Sequence, residues 1–188
     1  NHENAVVLRE LFPFTAPSRV LDKDITMGVG DRLGIATAGH IRVFNKYSNV
    51  YPIFAQQSIR ELTLTNRTFD DVLDCVSYAV FKYDFTRPWG ADGDHLKTEE
   101  EVEYALSRGY TMLTLDCSEH INGKVDAMSD EEVDEACVLP DEIRDLYLDK
   151  IFEIGEGISV SFDENTLKRA YMIYGGAIRH AVNIYHKY

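Results

Sequence analysis

Apolar positions along the chain alternate between short runs and longer stripes at helical spacing. Four short segments, at residues 25–30, 51–57, 89–94 and 110–115, are apolar or rich in glycine, and each ends in or leads into polar residues. Runs of this length are typical of buried strands. Apolar residues recur at helical spacing after residue 68 and again after residue 98. The chain is therefore predicted to alternate strand and helix, which indicates a parallel α/β sheet.

Two of the predicted helices carry clear start signals. Thr68 is suited to cap the first, and the aspartates that follow suit the positive end of its dipole. Thr98 opens the second in the same way, and Gly109 suits the C′ position that ends it. Residues 5–12 fit either a helix or a strand. Further helices are expected at residues 38–44, 145–152 and 164–185.

The number of strands narrows the fold class. About four strands in 188 residues do not close a (β/α)8 barrel, which typically takes about 250 residues. We expect residues 1–188 to form a single α/β domain that is TIM-barrel-like and covers about the first half of a barrel. A small open-sheet domain is the alternative. Residues 122–142 are rich in carboxylates and are predicted to be an acidic insertion.

Charge, hydropathy and cysteine content limit the classes of partner and the cellular compartment that are expected. The net charge of -13, without clusters of Lys and Arg, argues against a nucleic-acid partner. No apolar run approaches the roughly 20 residues that cross a bilayer, so no membrane partner is expected. Cys75, Cys117 and Cys137 share no CxxC spacing, which disfavours a disulfide framework and fits a reducing cytoplasm. A small molecule is the expected partner, and a homo-oligomer is left open.

The end of the third of these segments carries the strongest chemical signal. Asp94 and His95 end a Gly-rich run, and Lys97 lies just beyond them. A neutral imidazole is a good ligand for Zn, Mn, Ni or Fe, and the adjacent carboxylate can move a proton. Lys97 offers a cation to a substrate oxygen. The competing interpretation is a turn histidine beside an aspartate that caps the next helix.

Two more carboxylates follow the fourth apolar run. Asp116 and Glu119 can divide ligand and acid–base duties between them. In the competing interpretation, Asp116 accepts backbone N–H groups in a turn. Because the carboxyl ends of parallel strands meet at one edge of a sheet, these residues are expected near Asp94 and His95.

Substrate-binding candidates lie just after the first of these segments and at the end of the second. Arg32, next to Asp31, is suited to bind a carboxylate or a phosphate, although a salt bridge to an acidic neighbour is an equal alternative. Gln56 and Gln57 can form hydrogen bonds with hydroxyl groups, or they can be ordinary turn residues. Residues 28–34 are rich in glycine but lack the Walker lysine and the glycine spacing of a dinucleotide fingerprint, so neither type of site is predicted.

Several sequence blocks, taken in order, resemble the tagaturonate epimerases of bacterial hexuronate metabolism. The matching blocks are residues 28–37, 39–41, 55–62, 94–98 and 114–119. The resemblance extends over most of residues 25–185, and the family is longer than this chain. The Asp94–His95 pair also resembles a strand end of the class II, metal-dependent aldolases. In those enzymes the histidine binds the metal and the preceding aspartate handles protons.

The resemblance implies an isomerase that interconverts D-tagaturonate and D-fructuronate, which differ at one carbinol β to the ketone. Enolisation cannot invert that carbon, whereas retro-aldol cleavage and re-addition can. That route needs a Lewis acid, so a divalent metal ion is the implied cofactor. Transient oxidation by a nicotinamide is disfavoured because no dinucleotide fingerprint is present.

In this assignment three carboxylates are catalytic and one histidine binds the metal. The catalytic residues are Asp94, Asp116 and Glu119, the metal ligand is His95, and the substrate-binding residues are Asp31, Arg32, Gln56, Gln57 and Lys97. Two alternatives are kept. One is a class II-type aldolase acting on a sugar or sugar phosphate, and the other is a non-catalytic subunit that binds a sugar acid.

Overall fold

The computed structural model describes residues 1–188, and these separate into two compact units, Asn1–Asp116 and Cys117–Tyr188. The first unit begins with a helix and then alternates strands with helices. In order, its elements are α1 (His2–Leu11), β1 (Thr26–Gly28), α2 (Thr37–Lys46), β2 (Tyr51–Ser58), α3 (Ile59–Thr65), α4 (Phe69–Lys82), β3 (Gly90–Leu96), α5 (Glu99–Ser107) and β4 (Met112–Leu115).

The four strands form one parallel sheet in the order β1-β2-β3-β4. Each strand therefore pairs with the next one along the chain, and helices make the crossovers, as in successive βαβ units. The prediction of an α/β fold with a parallel half-barrel sheet is confirmed. All four carboxyl ends lie at the same edge, because the strands run in the same direction.

Aromatic packing holds the sheet against its helices. The ring of Phe54 on β2 lies 5.6 Å from the ring of Phe44, 5.1 Å from that of Phe85 and 6.2 Å from that of Trp89, measured between centroids. The Trp89 indole is fully buried, and its Nε1–H donates to the carbonyl of Phe14. Burial of one such side chain contributes on the order of 2 kcal/mol. This aromatic cluster fixes the position of β2 and therefore of its carboxyl end.

Helix signals in the sequence are confirmed at two of the crossovers. Thr68 and Thr98 each form a capping box, with Asp71 and Glu101 returning the hydrogen bond to the backbone of the cap. Gly109 follows α5 with φ +86°, a left-handed conformation that glycine adopts without a Cβ clash. Local hydrogen bonding thus sets where α4 and α5 begin.

The second unit is smaller and mostly helical. Its elements are two 3-10 helices (Ser118–His120 and Gly123–Ala127), α6 (Asp130–Ala136), α7 (Asp141–Tyr147), β5 (Ile151–Gly155), β6 (Ile158–Ser161) and α8 (Glu164–Lys187). Cys137, Leu139 and Leu167 form its buried centre. The acidic residues 122–142 lie in this unit. None of the helices in the structure has the length and apolar content needed to span a membrane.

Two local predictions are resolved differently by the structure. The helix expected at residues 145–152 is wrong, because α7 begins earlier, directly after Pro140, and β5 starts at Ile151. The Phe152 ring packs near those of Tyr147 and Phe162, which favours the antiparallel hairpin of β5 and β6 over a longer helix. The ambiguous segment at residues 5–12 is helical up to Leu11, where α1 ends.

Candidate functional site

A cavity of about 890 Å³ opens in the first unit beside the carboxyl ends of β2, β3 and β4. This volume is in the range of small-molecule sites. Four residues that the sequence predicts for the site line it: Arg32, His95, Lys97 and Asp116. The structure therefore brings together a histidine, a carboxylate and two cations from separate segments of the chain.

His95 is presented to solvent by an irregularity in β3. The register with β4 shifts between Gly93 and Leu96, and His95 has φ +53°. Bulges and left-handed backbone in a residue other than glycine often occur next to functional sites, because they redirect a side chain. The His95 side chain is 65% exposed, and its Nε2 lies 3.8 Å from Oδ1 of Asp94. The imidazole is thus accessible to a ligand, with a carboxylate beside it.

The Asp31 carboxylate organises the loop that leads into α2. It accepts hydrogen bonds from the backbone N–H groups of Gly34, Ile35, Ala36 and Thr37 and from the Thr37 hydroxyl. Burial alone would raise its pKa, but the backbone donors outweigh burial and hold the pKa below its usual value. Its oxygens are occupied by the loop, and the substrate-binding role of Asp31 stays a prediction.

Two glutamates that line the cavity are tied to helix N-termini. Glu61 forms a capping box with Ser58 at the start of α3 and also forms an ion pair with Arg32. Glu101 accepts the backbone N–H of Lys97 at 2.6 Å, in addition to capping α5. The sequence left a salt bridge of Arg32 as an open alternative, and the structure contains that ion pair.

A buried carboxylate that sequence reasoning missed lies at the centre of the sheet. Asp92 on β3 is 0% exposed and accepts hydrogen bonds from Gln56 Nε2 at 3.0 Å and from Thr114 Oγ1 at 2.9 Å. Burial raises the pKa of Asp92, and these two donors only partly offset the effect. The only feature of the sequence that points to Asp92 is its position inside a predicted strand, two residues before Asp94.

A glycine on β1 leaves space for the Gln56 side chain that donates to Asp92. A Cβ placed on Gly28 would lie 2.8 Å from Oε1 of Gln56, closer than such atoms approach. Gln56 is thus held by its neighbours on both adjacent strands. The next residue, Gln57, lies on the opposite face of β2, as strand alternation requires. Gln57 is fully buried and its side-chain oxygen and nitrogen have no hydrogen-bond partner.

The remaining predicted carboxylates fall in different units. Asp116 ends the first unit, and its backbone N–H donates to the carbonyl of Leu96 at 2.8 Å. Glu119 lies in the first 3-10 helix of the second unit. The catalytic roles of both residues stay predictions.

No group of three or more His, Cys, Asp or Glu side chains in residues 1–188 has an arrangement that could hold a metal ion. Catalytic zinc sites typically use three protein ligands. His95 and Asp94 therefore fit part of a metal site but not a complete one.

Comparisons with known proteins agree with the expected family. Residues 1–188 match the family model for tagaturonate epimerase. A tagaturonate/fructuronate epimerase from Thermotoga maritima is 40% identical over 187 residues, which are 98% of this chain and 38% of that protein.

Crystal structures of a fructuronate-tagaturonate epimerase from Cohnella laeviribosi also resemble this chain. The native structure matches with a TM-score of 0.90 and a complex with one glycerol with 0.91, each at 44% identity. Each match covers 100% of this chain and 39% of the solved chain, so this chain spans about two fifths of the length of its relatives. The chain belongs to the tagaturonate epimerase family.

Proposed function

We propose that the protein carrying this chain interconverts D-tagaturonate and D-fructuronate, and that the cavity at the strand edge is part of its active site. The observation that carries the proposal is the convergence of His95, Asp116, Lys97 and Arg32 on one cavity in a chain that matches the family throughout. The relatives with this named activity supply the substrate class.

Retro-aldol cleavage followed by re-addition is the reaction we propose. The hydroxyl of the carbon to be inverted gives its proton to a base, and its C–O bond becomes a carbonyl. The electron pair of the neighbouring C–C bond moves toward the keto group, which becomes an enediolate. Re-addition to the opposite face of the new aldehyde restores the bond with inverted configuration, and the base returns the proton. No net oxidation or reduction occurs.

The cavity offers bases and cations for these steps. Asp94, adjacent to His95, and Asp116, within the cavity lining, are the proposed proton carriers. Glu119 is kept as a third candidate. Lys97 would stabilise negative charge on a substrate oxygen, since a cation placed where charge develops lowers the barrier. Gln56, held between its neighbours, is suited to bond a hydroxyl group.

A divalent ion, Zn, Mn, Ni or Fe, is the proposed cofactor, with His95 as one of its ligands. When bound, such an ion would supply Lewis acidity to the keto group. Asp94 beside the imidazole would bias its orientation, since carboxylates commonly orient metal-binding histidines. The donors present in residues 1–188 form only a partial set, so no reaction step is assigned to the ion.

Chelation tests the metal dependence directly. We expect EDTA to abolish interconversion by the protein that carries this chain, and one of the four metal ions to restore it. Asp94→Asn should lower turnover even when the metal ion is supplied in excess, because the variant lacks the proposed proton carrier. The exposed Asp22→Asn serves as its matched control. Full activity in EDTA would overturn the metal requirement.

Product analysis then distinguishes epimerisation from simple cleavage. An aldolase would release a three-carbon fragment, whereas an epimerase returns only the two six-carbon acids. Accumulation of the fragment during turnover would replace the epimerase by the aldolase alternative. Binding of a sugar acid without any turnover would favour the non-catalytic alternative.

A further inference from the structure

We propose that Arg60 binds the carboxylate of the sugar acid and so fixes which end of the substrate faces β2. This inference rests on the proposed function, because it assigns one end of the substrate to one residue of the same cavity. The sequence did not single out Arg60. It is the second residue of α3, its side chain is exposed, and it lines the cavity.

Arg60 differs from the other two cations of the cavity in its side-chain interactions. Arg32 forms an ion pair with Glu61, and Lys97 also interacts with another group. The Arg60 side chain forms no hydrogen bond or ion pair in the structure. A guanidinium without an internal partner can bind an incoming carboxylate without breaking an existing pair. Its planar fork also matches a carboxylate with two parallel hydrogen bonds.

The charge balance of the cavity favours a ligand with a single negative charge. Three cations line it, Arg32, Arg60 and Lys97, against three carboxylates, Glu61, Glu101 and Asp116. The formal charges of these six side chains cancel. One unpaired guanidinium suits one carboxylate, whereas the higher charge of a phosphate ester would meet repulsion from the acidic residues. A sugar acid is therefore a better fit than a sugar phosphate.

The sheet register suggests how the substrate lies. Arg60 follows directly after β2, and Ser58 at the end of β2 pairs with Asp94 on β3. Neighbouring strands are about 4.8 Å apart, a separation that the carbon chain of a hexuronic acid can span. The carboxylate would then lie beside α3, and the keto end would lie beside His95. The carbon to be inverted would lie between them, within reach of Asp94.

Binding of matched acid and neutral sugars tests this assignment. The probes are D-fructuronate and D-fructose, which differ in that a carboxylate replaces a hydroxymethyl group, and the measurement is the Kd by calorimetry. We expect Arg60→Gln to weaken D-fructuronate binding about tenfold while changing D-fructose binding less than about twofold. Arg60→Lys should recover part of the loss, since it keeps the charge but not the fork.

The control is Arg42→Gln, an exposed arginine on α2 that does not line the cavity. It should leave both Kd values unchanged. If the unmodified protein binds D-fructuronate and Arg60→Gln does not alter that affinity, the assignment of Arg60 fails and the proposed function stands. An equal loss for the acid and the neutral sugar also overturns the assignment. If the unmodified protein binds neither sugar, the proposed function fails together with it.

Discussion

Asp31 and Asp92 are both buried aspartates of the first unit, yet folding moves their pKa values in opposite directions. Asp31 lies in the loop before α2, where four backbone N–H groups and a hydroxyl point at its oxygens. Asp92 lies in the sheet, where the backbone donors are committed to strand pairing and only two side chains donate to it.

The contrast shows that the donors available at a site, and not burial alone, decide the direction in which the pKa of a buried acid moves. A loop that leads into a helix has unpaired N–H groups to offer, whereas a central strand has none. Asp31 is therefore suited to a permanent structural charge. The pKa of Asp92 is instead raised, because burial outweighs its two side-chain donors.

The largest expected effect is the loss of the Asp31 carboxylate. Asp31→Ala should lower the free energy of unfolding by about 3 kcal/mol, because several backbone donors lose a charged acceptor in a buried loop. Urea denaturation measures the change. The control is Asp22→Ala, since Asp22 is 67% exposed and paired only with Lys23, and it should stay within about 0.5 kcal/mol. Equal effects at the two positions would contradict the role of the loop.

Replacing each aspartate by asparagine should change the free energy of unfolding less than Asp31→Ala does, and in opposite directions at the two positions. Asp31→Asn should destabilise by about 2 kcal/mol, because an amide N–H₂ group would face donors. Asp92→Asn should instead be neutral or stabilise by about 1 kcal/mol, since it removes a buried charge and Gln56 can turn its amide to match. The same denaturation measurement applies. Destabilisation of equal size at both positions would show that the two aspartates are equivalent.

The pH dependence of stability should separate the two residues further, with the smallest effect. The folded pKa of Asp31 is lowered, so its contribution is present above the ordinary value of 3.8 and is lost as pH falls below it. The folded pKa of Asp92 is raised, so its ionisation weakens the fold as pH rises above 3.8.

The opposite pKa shifts predict that the stability differences of the two asparagine variants disappear in different pH ranges. The stability gap between the unmodified protein and Asp92→Asn should close as pH falls from 7 to about 4. The gap for Asp31→Asn should persist to about pH 4 and shrink only below it. Denaturation midpoints measured across this range provide the check. Parallel curves for the two variants would refute the opposite shifts.

Local signals explain why much of the first unit was predictable. Thr68 and Thr98 cap helices with groups three residues away, so their role depends on short stretches of sequence alone. The four strand positions and the long helix α8 follow from apolar spacing in the same way. At the site, the prediction that Arg32, His95, Lys97 and Asp116 meet required only that parallel strands share one carboxyl edge.

Long-range pairing explains what was missed. The partners of Asp92 come from β2 and β4, and their meeting depends on a register that no local pattern specifies. The helix expected at residues 145–152 fails for a similar reason, since Phe152 is drawn into a hairpin by Phe162. Arg60 drew no attention because an exposed arginine is unremarkable until a cavity forms beside it.

The close approach of Gln56 to Gly28 has a consequence for how the protein tolerates substitution. A single added methyl group there would displace the Gln56 amide without altering any polar residue. Asp92 would then lose one of its two donors, and its proton affinity would rise still further. An apolar substitution at Gly28, on the edge strand β1, can therefore raise the pKa of Asp92 on β3 even though no charged residue is changed.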